Sequence, residues 1–203
     1  PTDFNTTICN DMKAKNMLNP KMEVIRTKDG AVVSAEKVDY VKSSGFILPK
    51  TYYKLNTSEL LSTSNYTSGY ESIYTIDRYN SYGRMSQTTD RSGKVIVYLW
   101  GYGSQFPVMQ IEGVSYVELR EKIGDNLLGN NRIGTLEKSF DTKEITKICD
   151  QIRAELMADE EASVIINSFT YDPLFGVTSI TDPRGLTTYY EYDGFGRLNQ
   201  TYI

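Results

Sequence analysis

With 203 residues the chain is long enough for one large domain or two small ones, and for burial of roughly two thirds of its unfolded surface. Lys and Arg number 22 against 26 Asp and Glu, a balance that excludes a general phosphate-binding surface and with it nucleic acid as a partner. There is no run of 18 apolar residues to span a membrane and no leader pattern, and the absence of histidine removes the commonest general acid/base and metal ligand.

What remains is a Tyr- and Thr-rich chain, with 16 Tyr and one Trp, a composition that favours half-buried β surfaces. Cys9 and Cys149 have no CxxC spacing, so no zinc site is expected, and their mutual proximity is left open. The start at Pro1 and the strand-like end at Ile203 are read as marks of a segment taken from a longer chain.

In chain order, the first clear element is "MEVIRTKDGAVVSAEKVDY" at 22–40, where Lys28-Asp29-Gly30 is a hairpin turn signal between β-branched runs. "GFILPKTYYKL" predicts a further strand, interrupted near Pro49, and the Ser/Thr/Asn-rich stretch 56–72 predicts a surface loop. Alternation resumes from Ile73 to Trp100 around the turn "DRSG", and "FPVMQIEGV" adds a strand. Residues 115–162 then lose alternation. Ser115 with Glu118, and Asp141 with Glu144, have the spacing of capping boxes. In the second of these helices Ile145, Ile148, Cys149, Ile152 and Leu156 form one apolar face, expected to lie on the neighbouring sheet. Strand signals return in "SFTYDPLFGVTSITDPRGLTTYYEYDGFGRLNQTYI".

The two β portions repeat. At an offset of 92 residues Tyr79 falls on Tyr171, Asp90 on Asp182, Gly93 on Gly185, Tyr98 on Tyr190 and Trp100 on Tyr192. A third unit opens at Tyr192, where "YDGFGRL" matches "YNSYGRM". In "DPRG", Pro183 pre-sets φ, Asp182 accepts bonds from the turn amides and Gly185 takes φ > 0; Asp90 and Gly93 play the same parts in "DRSG". Gly194 and Gly196 serve a third reversal. Beyond the turns, Leu186, Thr188, Tyr190 and Tyr192 form one column, matched by Lys94, Ile96, Tyr98 and Trp100.

These residues carry a family resemblance. "YDGFGRL" and "TDPRGLTTYYEYD" resemble the tyrosine-aspartate repeat of the bacterial RHS (rearrangement hot spot) proteins, and "YLWGY…FPV" is similar to a segment of surface-associated members. The match covers about 76–107 and 169–203; at "DPLFG" it departs, since the family's Gly would fall at Phe175. The resemblance implies an antiparallel sheet of successive hairpins, which in large members spirals into a shell around a C-terminal cargo. It also implies an extracellular or cell-surface location.

The acidic residues of the C-terminal repeats admit a chemical and a structural reading. "DPRGL" is similar to an autoproteolytic Asp-Pro-x-Gly segment, but "DRSG" fills the same slot and favours a turn. Asp172, Asp182, Glu191 and Asp193 offer no pairing at sequence level, so no glycosidase is expected. A second reading makes Trp100, Tyr102, Tyr189, Tyr190 and Tyr192 an exposed platform for a carbohydrate or another surface protein. The alternative expectation is that the Tyr190 and Tyr192 face packs beneath helix 142–158. Four Asn-x-Ser/Thr matches, at Asn5, Asn56, Asn65 and Asn199, carry no weight.

The fold class expected is therefore α+β, mainly β: antiparallel hairpin repeats with a helical insertion packed on the sheet. The segments are 1–113 (hairpins and first repeat), 114–166 (insertion) and 167–203 (C-terminal repeats). The expected function is a non-catalytic structural segment of a larger secreted or surface protein. No cofactor is expected. The expected partners are the rest of its own chain, or further copies joined through sheet edges near the C-terminal strand.

Overall fold

The computed structural model describes residues 6–56, 61–62, 65–125, 130–158 and 163–203. The chain divides into two compact units, with the boundary between Gly93 and Lys94. Both are built on antiparallel strands in meander order, and the fold is α+β, mainly β.

The first unit opens with helix α1 (Thr6–Ala14), an element that the sequence reading did not place. Its buried Ile8 and Met12 pack with Ile47, and Lys42 pairs with Asp11. The sheet of this unit runs β1 (Glu23–Lys28), β2 (Ala31–Ser43), β3 (Phe46–Leu55), β5 (Tyr70–Tyr79) and β6 (Met85–Asp90). Short β4 (Leu61–Ser62) lies off this path and pairs with β2. The connections β1–β2 and β2–β3 are two-residue loops, Asp29-Gly30 and Ser44-Gly45, with φ of 50° and 80°, and 48° and 83°. Positive φ at both positions is the type I′ geometry whose twist matches the flanking strands.

Two expectations change here. Strand β3 is not interrupted at Pro49: it runs unbroken, and its register against β2 shifts between Asp39 and Tyr40, so Lys50 is looped out beside the proline. A bulge of one residue accommodates a residue with no N–H without ending the strand. Nor is the stretch 56–72 simply a surface loop. It contains β4, a 3₁₀ turn at Tyr66–Gly69 and the start of β5, and Tyr66 is buried against Val32, Ala35 and Leu55. Residues 57–60 and 63–64 lie outside the described residues.

The second unit holds β7 (Val95–Gly101), β8 (Phe106–Glu112), β9 (Ile165–Asp172), β10 (Gly176–Thr181), β11 (Thr187–Tyr192) and β12 (Leu198–Tyr202), each paired with the next. Between β8 and β9 come α2 (Tyr116–Lys122), α3 (Arg132–Lys138) and α4 (Thr142–Met157). The capping box at Ser115 forms: its hydroxyl accepts from the Glu118 amide while Glu118 accepts from the Ser115 amide. These bonds hold the Glu118 carboxyl below its usual range. At α4 the cap is one-sided. Asp141 accepts from the Lys143 amide, but Glu144 accepts from the Ser139 hydroxyl, which itself accepts from the Asp141 amide. Ser139 has inserted itself where the second half of the box was expected.

The core of this unit is a single contiguous cluster. Val97, Leu99, Val108, Met109, Ile111 and Ile166 come from the sheet, and the helices cover them with Leu119, Leu136, Ile145, Ile152 and Leu156. Ile145, Ile148, Cys149, Ile152 and Leu156 all lie on the buried face of α4. At the hydrophobic coefficient of about 25 cal/mol per Å², each fully buried Leu or Ile contributes roughly 1.5–3 kcal/mol, so this helix is held down by its face and not by its propensity.

Two glycines separate conformational from steric strain. Gly185 has φ of 83° and open space where a Cβ would project, whereas at Gly113 (φ 88°) a Cβ would strike the Ser163 carbonyl. Gly185→Val is expected to cost on the order of 1–2 kcal/mol from backbone strain alone. Gly113→Ala is expected to cost more despite adding a smaller side chain. Urea midpoints of the two variants decide the order; an unchanged midpoint for Gly185→Val would remove the left-handed requirement at that turn.

Candidate functional site

Five reversals share one device. An Asx side chain stands at the first position, and its Oδ1 accepts backbone N–H groups further along the turn. Asp182 accepts from Arg184 and Leu186, Asp193 from Phe195 and Arg197, and Asn80 from Tyr82 and Arg84, all within 2.9–3.0 Å. Asp90 and Asp172 accept from Ser92 at 2.7 Å and Leu174 at 2.8 Å. The Asx carbonyl then takes the amide three residues on, closing a type of turn that needs φ > 0 at Gly83, Gly93, Gly185 and Gly196.

Details within the set differ from expectation. Gly194 is not among the positive-φ glycines and occupies the place that Pro183 fills in its own turn, so its flexibility is not required there. At "DPLFG" the positive φ moves one residue later, to Gly176 (φ 126°), and the register of β9 and β10 slips between Val177 and Ser179. The moved left-handed position is the consequence of Phe175 standing where the repeat has Gly; the register slip is shared with the turns at Asn80 and Asp193.

As chemistry, these acids are committed. Amide bonds, first from Leu186 at Asp182 and first from Arg197 at Asp193, hold both carboxyls below the usual range. Each also meets an arginine on its other oxygen, Arg184 at 3.3 Å and Arg197 at 2.8 Å. Asn80 does the same job without a charge. A proton acceptor whose lone pairs are already taken, and which an amide can replace, is a poor general base.

The five aromatic residues of the expected platform do not come together on one face. Tyr102 is fully buried, with φ of 54°, inside the β7–β8 loop. Its hydroxyl accepts the Tyr171 amide and meets Thr142 Oγ1 at 3.2 Å, and its ring packs edge-on against Phe106 and Tyr171. Trp100 is half-buried on β7, opposite Pro107. Tyr189 is exposed and stacks on Tyr202. Tyr190 alternates to the opposite face from Tyr189. Tyr192 lies against Phe175 and donates to the Val177 carbonyl at 2.8 Å.

The expectation that α4 covers the Tyr190 and Tyr192 face is also overturned. The residue that α4 overlooks is Tyr189. Strict alternation leaves the choice of face to tertiary packing, and the apolar stripe of α4 has settled on the side of Ile166 and Ser168. Stacked tyrosines form in the first unit too, Tyr52 on Tyr74 at 4.5 Å, with burial pushing the Tyr74 phenol up to about 12.

Between α4 and the sheet of the second unit lies a polar cleft of about 360 Å³. Thr142, Thr146, Cys149 and Asp150 form its helical wall. The floor is a hydroxyl ladder in which Thr170 meets Thr178 at 2.9 Å and Ser179 at 2.6 Å, and Thr181 meets Thr187 at 2.9 Å. The Cys149 thiol is buried, and burial pushes it up to about 12; Cys9 lies in the other unit.

Beside the ladder sits a residue that the sequence reading passed over. Arg153, 9% exposed, donates Nη1 to the Asp182 carbonyl and Nη2 to Ile166 O, Thr181 O and Ser168 Oγ, at 3.0–3.3 Å. Its Nε has no partner among the described residues, and burial lowers its pKa. One guanidinium thus ties α4 to β9, to the end of β10 and to the "DPRG" turn. Its position, four residues after Cys149, was the available signal: a charge on an otherwise apolar stripe. Among the described residues no cluster of metal-ligating side chains is present, and no helix is long and apolar enough to cross a membrane.

Residues 171–202 match the model of the RHS repeat, a stretch that holds the Asx turns at Asp172, Asp182 and Asp193 and strands β10–β12. No curated protein matches the chain. Among solved structures, similar chains are found in the crystal structures of TcdB2-TccC3-Cdc42, of TcdB2-TccC3 without its hypervariable C-terminal region, and of TcdB2-TccC3-TEV. Identities are 12%, 12% and 11%, with TM-scores of 0.43, 0.43 and 0.44. In each case 98% of this chain is covered but 9% of the other, so it spans about a tenth of those proteins.

Two measurements follow from this geometry. Arg153→Met keeps the apolar stem but strands the carbonyls of Ile166, Thr181 and Asp182; a loss of about 1–3 kcal/mol is expected, read from denaturant unfolding, and a neutral result would show the clamp to be dispensable. For the turns, a carboxyl whose folded pKa is depressed adds stability above the unfolded value of about 3.9, lost as pH falls through the lower folded value. Acid unfolding followed by circular dichroism should therefore be shallower in the double variant Asp182→Asn, Asp193→Asn than in the parent as pH falls below about 4.

Proposed function

We propose that the chain is a non-catalytic structural segment of a larger secreted or cell-surface RHS-type protein, in which it forms part of a β shell or scaffold. The observation that carries this reading is the Asx slot. The residues with the strongest look of chemistry are spent on turn amides, and Asn80 fills one such slot as well as the aspartates do.

Strand β12 supports the same reading. All five of its residues are exposed, and among the described strands it pairs only with β11. Its free side suits another strand of the same chain, or of a second copy, because an unpaired edge presents a row of unmet N–H and C=O groups. Nearby, Leu174, Phe195 and Leu198 are exposed, which a neighbouring hairpin would cover.

Limited proteolysis of the full-length protein tests the proposal. The repeat region should resist as a block, and sequence that it encloses should be cut far more slowly than the same sequence expressed alone. Equal cutting rates in the two settings would overturn the enclosing role.

A further inference from the structure

We propose that the hydroxyl-lined cleft beneath α4 is a binding site for a neutral, hexose-sized polyol. Because the cleft depends on the insertion helix and not on the turns, the inference stands apart from the scaffold reading. The cleft's volume of about 360 Å³ falls at the small end of ligand pockets, which run from about 300 to 1,000 Å³.

The donor arithmetic of the floor favours such a ligand. Each hydroxyl has one O–H to give and two lone pairs to accept with. Thr170, Thr178 and Ser179 make two contacts among themselves, so at least one of their three O–H groups is left over. Thr181 and Thr187 share one contact and leave another. The ladder therefore presents both donors and acceptors, closely spaced, across the three hydrogen-bonded strands β9, β10 and β11. A vicinal diol offers the same mixture in return.

The walls complete the match. Asp150 places an exposed carboxylate on the helical side, able to accept from two adjacent hydroxyls. Tyr189, 44% exposed, borders the cleft with an aromatic ring of the kind that packs on the C–H face of a pyranose. No Lys or Arg lines the cleft; the nearby Arg153 guanidinium is spent on Ser168 and three carbonyls, which leaves the Asp150 carboxylate as the charge that faces a ligand and disfavours an anion.

The test is titration of the whole chain with glucose, galactose and N-acetylglucosamine, with glucuronate as the charged control, followed by saturation-transfer NMR. At least one neutral hexose should saturate with a Kd on the order of 1–10 mM, and glucuronate should bind at least about tenfold more weakly. Asp150→Ala, on an exposed helix position, and Thr178→Val should each weaken binding about tenfold while circular dichroism stays unchanged. The trisaccharide of whichever sugar binds then separates the sources. Tighter binding than the monosaccharide marks a glycan chain, equal binding a free sugar, and either supports the site. The proposal is overturned if no neutral hexose saturates, if glucuronate binds equally well, or if binding survives both substitutions.

Discussion

A side-chain oxygen accepting backbone amides is the interaction on which these hairpins depend. A tight reversal leaves its amides turned inward with no strand to meet, and an unmet buried amide costs roughly as much as a lost hydrogen bond. In this chain an Asx oxygen supplies the missing acceptor at two and four residues on, and a glycine absorbs the left-handed backbone that follows. The strands then need only moderate β propensity, because their register is set at the turn. A register shift lies beside the turns at Asn80, Asp172 and Asp193 alike, so it belongs to the repeat and not to the displaced glycine at Phe175-Gly176.

The second unit adds a layer to this arrangement. Its helices bury the only large apolar cluster among the described residues, while the first unit holds smaller ones around Val32 and Ile47. Arg153 links the layers. A buried guanidinium is an unfavourable guest in an apolar interface, since it gives up its hydration. It is tolerated here because its two terminal nitrogens meet carbonyls that the strand ladder and turn leave partly free. The apolar stripe of α4 fixes that the helix lies down; the guanidinium fixes where.

Much of this was legible in the sequence. Asp29-Gly30, Asp90 to Gly93, Asp182 to Gly185 and Asp193 to Gly196 announce reversals by residue type alone, and the offset of 92 residues shows that the second and third of these occupy the same place in a repeat. The stripe from Ile145 to Leu156 gave the buried face of α4. What was not legible depends on distant partners. Tyr52 meets Tyr74 across 22 positions, through a connection whose length does not dictate register. Tyr102 looks like an exposed ring beside two glycines, yet a left-handed backbone turns it into the core. The cleft is invisible for the same reason: it arises from cross-strand pairs such as Thr181 with Thr187, and from a helix choosing the Tyr189 side, neither of which alternation can decide.

The burial of Cys149 has a consequence for observing this protein. Its thiol, on the inner face of α4 at the wall of the cleft, is only 3% exposed, so alkylation should be slow while the helix stays on the sheet. The labelling rate at this one position would then report how often that wall opens, without any introduced probe. A thiol placed for packing has become a clock on the motion of the layer that hides it.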